Sequence, residues 1–229
     1  MVNVITIGGQ RFYPVGKEGE EQKWIPSVTT IIDGCYPKSN YLISWQIDKG
    51  KDEAERILKE ASEDGTFIHE RVEWLCKGLS VNTEGLNGKQ ARALMAFVAW
   101  FKEVKPKILA NEIKVYDIDK GFAGTVDIIA EIDGEPYIVD IKTSNYLHDS
   151  YNAQVAAYAE AYSSYMRESG QMKAGILHLT AKTKKGWSFR EVDVDEGWKM
   201  FDLCRKMFHH LYPAAAPKLL EVPESLSLK

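Results

Sequence analysis

The most constraining feature of this chain is Asp133-Gly134, set between two apolar runs, Phe122–Ile132 and Pro136–Thr143. A two-residue type I′ turn needs positive φ at both central positions, which Asp and Gly tolerate, so the pair specifies a hairpin. The register follows by counting outward. Ile132 faces Glu135, and each further step moves one residue along each strand until Asp127 faces Asp140. Directly opposed residues have Cβ atoms about 4.5–5.5 Å apart, and like charges there are destabilising. The neighbouring positions are apolar: Val126, Ile128 and Ile129 on one strand, Ile138, Val139 and Ile141 on the other. Two carboxylates in that setting call for a cation or a shared proton between them. A hard divalent ion held through oxygen, Mg²⁺ or Mn²⁺, meets the requirement.

Strand alternation brings in a third group, because Asp140 and Lys142 are two apart and project from one face. Phosphodiester hydrolysis uses such a set. The ion polarises a phosphoryl oxygen and lowers the pKa of a water, while the lysine orients or deprotonates that water or stabilises developing charge. Taken alone, Asp140-x-Lys142 also fits a surface salt bridge beside two solvated aspartates. The opposed Asp127 favours the site.

The rest of the pattern predicts a mixed α/β (α+β) fold in a single domain over residues 1–229. Residues 1–105 hold a hairpin turning at Gly8-Gly9, a short helix entered at Ser27, and a helical stretch from Trp45 to Lys77. That stretch is expected to break at Asp64-Gly65-Thr66, with Thr66 capping the second piece, which carries His69. An amphipathic helix over 89–105 places Leu94, Phe97, Val98, Phe101 and Val104 at core spacing. Residues 106–195 turn strand-like: Ile108–Tyr116, the two strands of the central hairpin, a helix over Asp149–Met166, and a last hairpin from Lys173–Ala181 to Trp187–Val194. Residues 196–229 hold a helix over Glu196–Leu211 and a Pro/Ala-rich tail.

Composition excludes several classes. The net charge of -4 argues against a cation-coated nucleic-acid binder, although local patches decide binding. Cys35, Cys76 and Cys204 are odd in number and widely spaced, which excludes a disulfide framework or a closed zinc site and fits a reducing compartment. No apolar run approaches the ~20 residues of a membrane helix, and the amino terminus lacks a signal-peptide layout. A cytoplasmic protein without a membrane partner is expected. Gly88-Lys89 superficially suggests a phosphate loop, but the leading Gly is missing and Gln90 stands where Ser or Thr is required.

With these residues in hand, the chain resembles the PD-(D/E)xK nuclease superfamily, and within it the RecB-like branch. That branch pairs a helical His with Gly-x-x-Asp, Asp/Glu-x-Lys and Gln-x-x-x-Tyr. Here they read, in order, as His69, Gly124-Thr125-Val126-Asp127, Asp140-Ile141-Lys142 and Gln154-Val155-Ala156-Ala157-Tyr158. The resemblance spans about residues 25–195. It implies a restriction-endonuclease-like core, a central mixed sheet flanked by helices behind a helical amino-terminal half. It also implies His69, Asp127, Asp140 and the Ile141 carbonyl as metal ligands, and Lys142 as the catalytic lysine. Gln154 and Tyr158 would line the site and hold the lysine or the DNA backbone.

Outside the resemblance, His69 reads equally as a structural helical histidine, and Gln154 and Tyr158 as a surface amide and a half-buried ring on one helix face. Glu112 on the preceding strand could approach the metal or its surroundings, or be a solvated edge residue; Glu73, one turn after His69, could also reach inward. No cysteine cluster follows Tyr158, so no iron–sulfur cluster is expected. No helicase motor is present, and the pattern resembles a stand-alone phage-type exonuclease acting on DNA, possibly alongside phage or host replication or recombination proteins. Rival expectations are an endonuclease for RNA or branched DNA, and a catalytically idle nucleic-acid-binding module. Lys182, Lys184 and Lys185 at a hairpin tip are candidate phosphate contacts, as are Lys199, Arg205 and Lys206 on the last helix and Lys102, Lys105 and Lys107 after the long one. Ordinary solvated surface explains each equally well. Tyr36, Trp45 and Trp74 are candidate stacking residues. The oligomeric state is left open.

Overall fold

The computed structural model describes residues 4–16, 23–166 and 172–217. The expected tail beyond residue 217 lies outside the described residues. A small antiparallel sheet comes first, built from β1 (Ile5–Ile7), β2 (Gln10–Val15) and β3 (Lys23–Pro26). Helices α1 (Val28–Cys35), α2 (Asn40–Lys49), α3 (Lys51–Cys76) and α4 (Gly88–Val104) follow. The main sheet contains β4 (Lys107–Asp117), β5 (Phe122–Ile132), β6 (Glu135–Lys142), β7 (Lys173–His178) and β8 (Ser188–Val192) in that spatial order. Helix α5 (Ser150–Met166) connects β6 to β7, and α6 (Val194–Leu211) follows β8.

All pairings in the main sheet are antiparallel except β6 with β7. A parallel pair requires a crossover, and α5 supplies it. The sheet is covered on both faces. Val126, Ile129 and Ile138 pack with α1, α5 and α6, whereas Ile128, Ala130, Val139 and Ile141 pack with α3 and α4. This two-sided cover explains why β6 is buried continuously from Tyr137 to Ile141. Side chains such as Trp100, Phe97, Phe201 and Phe208 are fully buried, each contributing about 1.5–3 kcal/mol of transfer free energy.

The hairpin follows the predicted register from Ile132↔Glu135 to Ile128↔Val139, with Asp133 and Gly134 both at positive φ (51° and 83°). Ser27 caps α1, accepting the Thr30 N–H at 2.9 Å. Two expectations fail. The helix is continuous through Asp64-Gly65-Thr66, and Thr66 is no cap: its Oγ1 donates to the Ser62 carbonyl one turn earlier. The break falls at Gly50, whose φ of 78° only glycine adopts readily. In α4 Leu94 and Phe97 are buried and Val104 packs on the core as expected, but Phe101 is exposed, and Ala93, Ala96 and the larger Trp100 indole complete the buried face. The strand β3 was not anticipated either; it extends the expected amino-terminal hairpin.

Candidate active site

The β5–β6 ladder stops one rung short of Asp127 and Asp140. The Asp127 carboxylate instead accepts the Ile141 N–H through Oδ2 at 2.6 Å. Its other oxygen, Oδ1, lies 3.2 Å from His69 Nδ1, which α3 presents to it. Asp140, 2% exposed, meets the Lys142 ammonium at 2.8 Å through Oδ2. Asp140 therefore already faces a cation belonging to the protein, and Asp127 an imidazole that becomes one on protonation. This corrects the inference that only a bound ion or a shared proton could relieve the pair: His69 and Lys142 relieve it too.

Gln154 joins the parts. Its Oε1 accepts from Lys142 at 3.1 Å, and its Nε2 donates to Asp140 Oδ1 at 3.2 Å and to the Tyr158 hydroxyl at 3.0 Å. Gln154 and Tyr158 lie one turn apart on α5 and are both buried. They position the Asp140–Lys142 pair. Gly124 is part of the same construction. A Cβ there would stand 2.3 Å from Tyr158 Cε1, so the Gly-x-x-Asp glycine is required by the ring packed on it.

The strongest addition is Glu112. Its φ of 52° is left-handed, uncommon for a non-glycine residue. Pairing of β4 with β5 passes from Asn111↔Ile128 to Ile113↔Val126, leaving Glu112 alongside Asp127. Among the described residues, His69, Glu112 and Asp127 bring a ligand atom each within 4.8 Å of one another. The metal set expected from sequence was His69, Asp127, Asp140 and Ile141. The structure gathers the first two with Glu112, places Asp140 beside Lys142, and turns the Ile141 N–H toward Asp127. Glu73 lines the same cavity but pairs with Lys77.

Burial and charge tune these groups. Burial raises Asp140 to about 6, opposed by Lys142 and reinforced by Asp127. Glu112 is exposed by surface area, yet desolvation by the cavity wall and the charge of Asp127 lift its carboxyl to about 7. For Asp127, burial pushes the pKa up, but His69, Lys142 and the Ile141 N–H outweigh it and leave it lowered. Burial pulls Lys142 down, and Asp140 and Asp127 more than restore it, so the ammonium stays protonated. His69 is raised in the same way, burial losing to Asp127.

A divalent ion fits these residues. Asp140 Oδ2 is buried, with the Lys142 ammonium at 2.8 Å beside it and lone pairs left over for an ion. A buried oxygen with unspent lone pairs, two further carboxylates and an imidazole form an oxygen-rich donor set suited to Mg²⁺ or Mn²⁺. The cavity, about 370 Å³, is also lined by Arg11, Tyr13, Ser27, Thr29 and Thr125. Sequence reading passed over these. Their signals were the Ser27-Val28-Thr29-Thr30 run and Thr125 inside the Gly-x-x-Asp motif.

The lysine clusters fare differently. Lys199 and Lys206 pair with acids of their own helix, and Arg205 with Asp202 and the Lys120 carbonyl. Lys107 faces Glu131. At the hairpin tip Lys185 pairs with Glu103, while Lys182 lies over the Tyr146 ring. Of the expected stacking residues, Trp74 is occupied by the Arg71 guanidinium at 4.0 Å, and Tyr36 packs against the core.

A family model of the PD-(D/E)XK nuclease superfamily matches residues 42–221. The chain belongs to that superfamily, which makes nucleic acid its implied substrate and phosphodiester hydrolysis its implied chemistry. No curated protein matches it. Among the described residues, no helix is long and apolar enough to cross a membrane.

Proposed function

We propose that this protein is a Mg²⁺- or Mn²⁺-dependent deoxyribonuclease of the RecB-like kind, a stand-alone exonuclease. One observation carries the reading: a buried Asp140–Lys142 pair, clamped by Gln154, opens on the cavity where His69, Glu112 and Asp127 converge. His69, Glu112, Asp127 and Asp140 would hold the ion, with the Ile141 carbonyl completing the set. When bound, the ion supplies Lewis-acid polarisation of a phosphoryl oxygen and activation of water. The chain supplies the rest. Lys142, kept protonated by Asp140 and Asp127, sets a positive charge against the negative charge that develops on phosphate. Gln154 and Tyr158 fix where that charge sits. Arg11 and the hydrogen-bonded hydroxyl pair of Tyr13 and Thr125 give the cavity wall donors for phosphate oxygens. Imidazole binds metal only when neutral, so loading the site displaces protons.

The test offers the purified protein linear, circular and single-stranded DNA, and RNA, with Mn²⁺. Cutting of linear but not circular DNA is expected. Cutting of circular DNA or of RNA instead favours the endonuclease reading. Binding without cutting of any substrate would identify an idle module and end the proposal. Lys142→Ala is expected to abolish cutting while keeping metal binding, and Asp127→Ala to lose both. Full activity in either variant refutes the assigned roles.

A further inference from the structure

A second cavity begins two residues after the catalytic lysine. It encloses about 790 Å³ and shares no lining residue with the first. The two are joined through Tyr151, which lines the second and carries the Lys142 ammonium 4.5 Å above its ring. Tyr36, Leu42, Leu58 and Leu147 supply apolar and aromatic wall, and Lys38 partly offsets the charge of Asp33 and Asp149.

Two tyrosines flank this groove. Tyr41 lies between lining residues Asn40 and Leu42 at the start of α2, and Tyr146 precedes lining residue Leu147. They are 67% and 55% exposed, yet their rings meet edge-on with centroids 6.2 Å apart. The Lys182 ammonium lies 5.3 Å from the Tyr146 centroid. Three separate segments thus bring two open aromatic rings and a cation to one spot, at the loop that leaves β6 after Lys142. The Tyr146 loop is also fixed in place. The Ser144 carbonyl lies 2.6 Å from His178 Nε2 and accepts from Thr180 Oγ1 at 2.7 Å, while Ser144 Oγ donates to the Tyr146 carbonyl at 2.7 Å. A ring held on a braced loop loses little entropy when a ligand stacks on it.

Exposed aromatic faces next to a cation suit unpaired bases, which stack on rings without regard to sequence while the cation meets the backbone. A duplex keeps its base faces stacked internally and cannot offer them. The apolar and aromatic groove wall offers further surface to bases. We propose that Tyr41, Tyr146 and Lys182 form a stacking clamp for unpaired bases of single-stranded nucleic acid, with the adjoining phosphate at Lys142. The clamp rests on the nuclease reading for its orientation but is tested without catalysis.

Binding is measured by fluorescence anisotropy in EDTA, with a labelled single strand of about 12 nucleotides and its matched duplex. The wild-type protein is expected to prefer the single strand. Tyr41→Ala and Tyr146→Ala should each weaken single-strand binding about tenfold and leave duplex binding within about twofold. Tyr→Phe at either position should restore affinity, because the ring and not the hydroxyl is used. Lys182→Ala should flatten the salt dependence of single-strand binding by about 0.7 in log–log slope. Wild-type affinity in both alanine variants overturns the clamp, as does equal loss for strand and duplex or failure of the Phe variants to rescue. If the wild-type protein cuts DNA while the alanine variants bind normally, the clamp alone fails. If the clamp pattern holds but wild type cuts nothing, the nuclease reading alone fails.

Discussion

Gly124→Ala tests the link between the Gly-x-x-Asp motif and the buried polar network. The φ of Gly124 is not in the left-handed region, so the backbone accepts alanine and the cost is steric. The new Cβ would lie 2.3 Å from Tyr158 Cε1 and 2.9 Å from Cδ1. At Gly124 strand β5 is held by its pairing with Val115 of β4 and by the neighbouring Ser27↔Ala123 bridge and cannot retreat, so the ring must turn and its hydroxyl must leave Gln154. Overpacking costs about 1–3 kcal/mol. Leaving a buried hydrogen-bonding group without its partner costs about another 1–3 kcal/mol. For a domain of this size each kcal/mol lowers Tm by about 2–4 °C, so a drop of roughly 5–20 °C is expected. Gln154 holds both Asp140 and Lys142, so activity should fall with it. Thermal unfolding of Gly124→Ala, Tyr158→Ala and the double variant checks the mechanism. Tyr158→Ala leaves a cavity costing about 3–5 kcal/mol, by analogy with other aromatic truncations. In the double variant the alanine methyl enters vacated space, so its stability should match Tyr158→Ala alone, a coupling as large as the whole Gly124→Ala cost, about 2–6 kcal/mol. Strict additivity, or a Gly124→Ala protein that melts like wild type, would refute the argument.

Glu112→Gln should melt above wild type at pH 8 without divalent ion. A carboxyl whose folded pKa is raised to about 7 from 4.5 contributes stability in its protonated form, present below 4.5 and lost as pH rises through 7. The advantage of the glutamine should therefore shrink as pH falls from 7 to 4.5, and an advantage independent of pH would count against burial beside Asp127 as the cause. With Mn²⁺ present the order should reverse, because wild type binds the ion better; calorimetric titration reads the lost affinity. Arg11→Ala should raise KM for DNA and flatten its salt dependence by about one phosphate contact, with kcat little changed. A fall in kcat at unchanged KM would place Arg11 in the transition state instead of in substrate binding.

Much of the framework was legible without coordinates, because the relevant information is local. The Asp133-Gly134 turn sets the hairpin register through its own dihedral preferences, and strand period places Asp140 and Lys142 on one face. The four motifs fall in order on a helix, two strands and a helix, as their patterns require. Gly50 and Gly65 were less separable. Both are glycines in helical surroundings, and only packing shows that the chain turns at the first and runs straight through the second, where it passes Thr143.

What tertiary structure alone decided is how charges find one another. His69 reaches Asp127 from helix α3, distant in the chain, and Gln154 of α5 bridges the directly paired Asp140 and Lys142. Glu112 enters the ligand group because its backbone is left-handed, a state that residue type disfavours and surrounding structure must impose. Tyr41, Tyr146 and Lys182 meet only because loops and a helix start far apart in the chain converge. Turn chemistry and periodicity act within a few residues and can be read from them; desolvation and ion pairing depend on neighbours distant in the chain, which folding alone brings within reach.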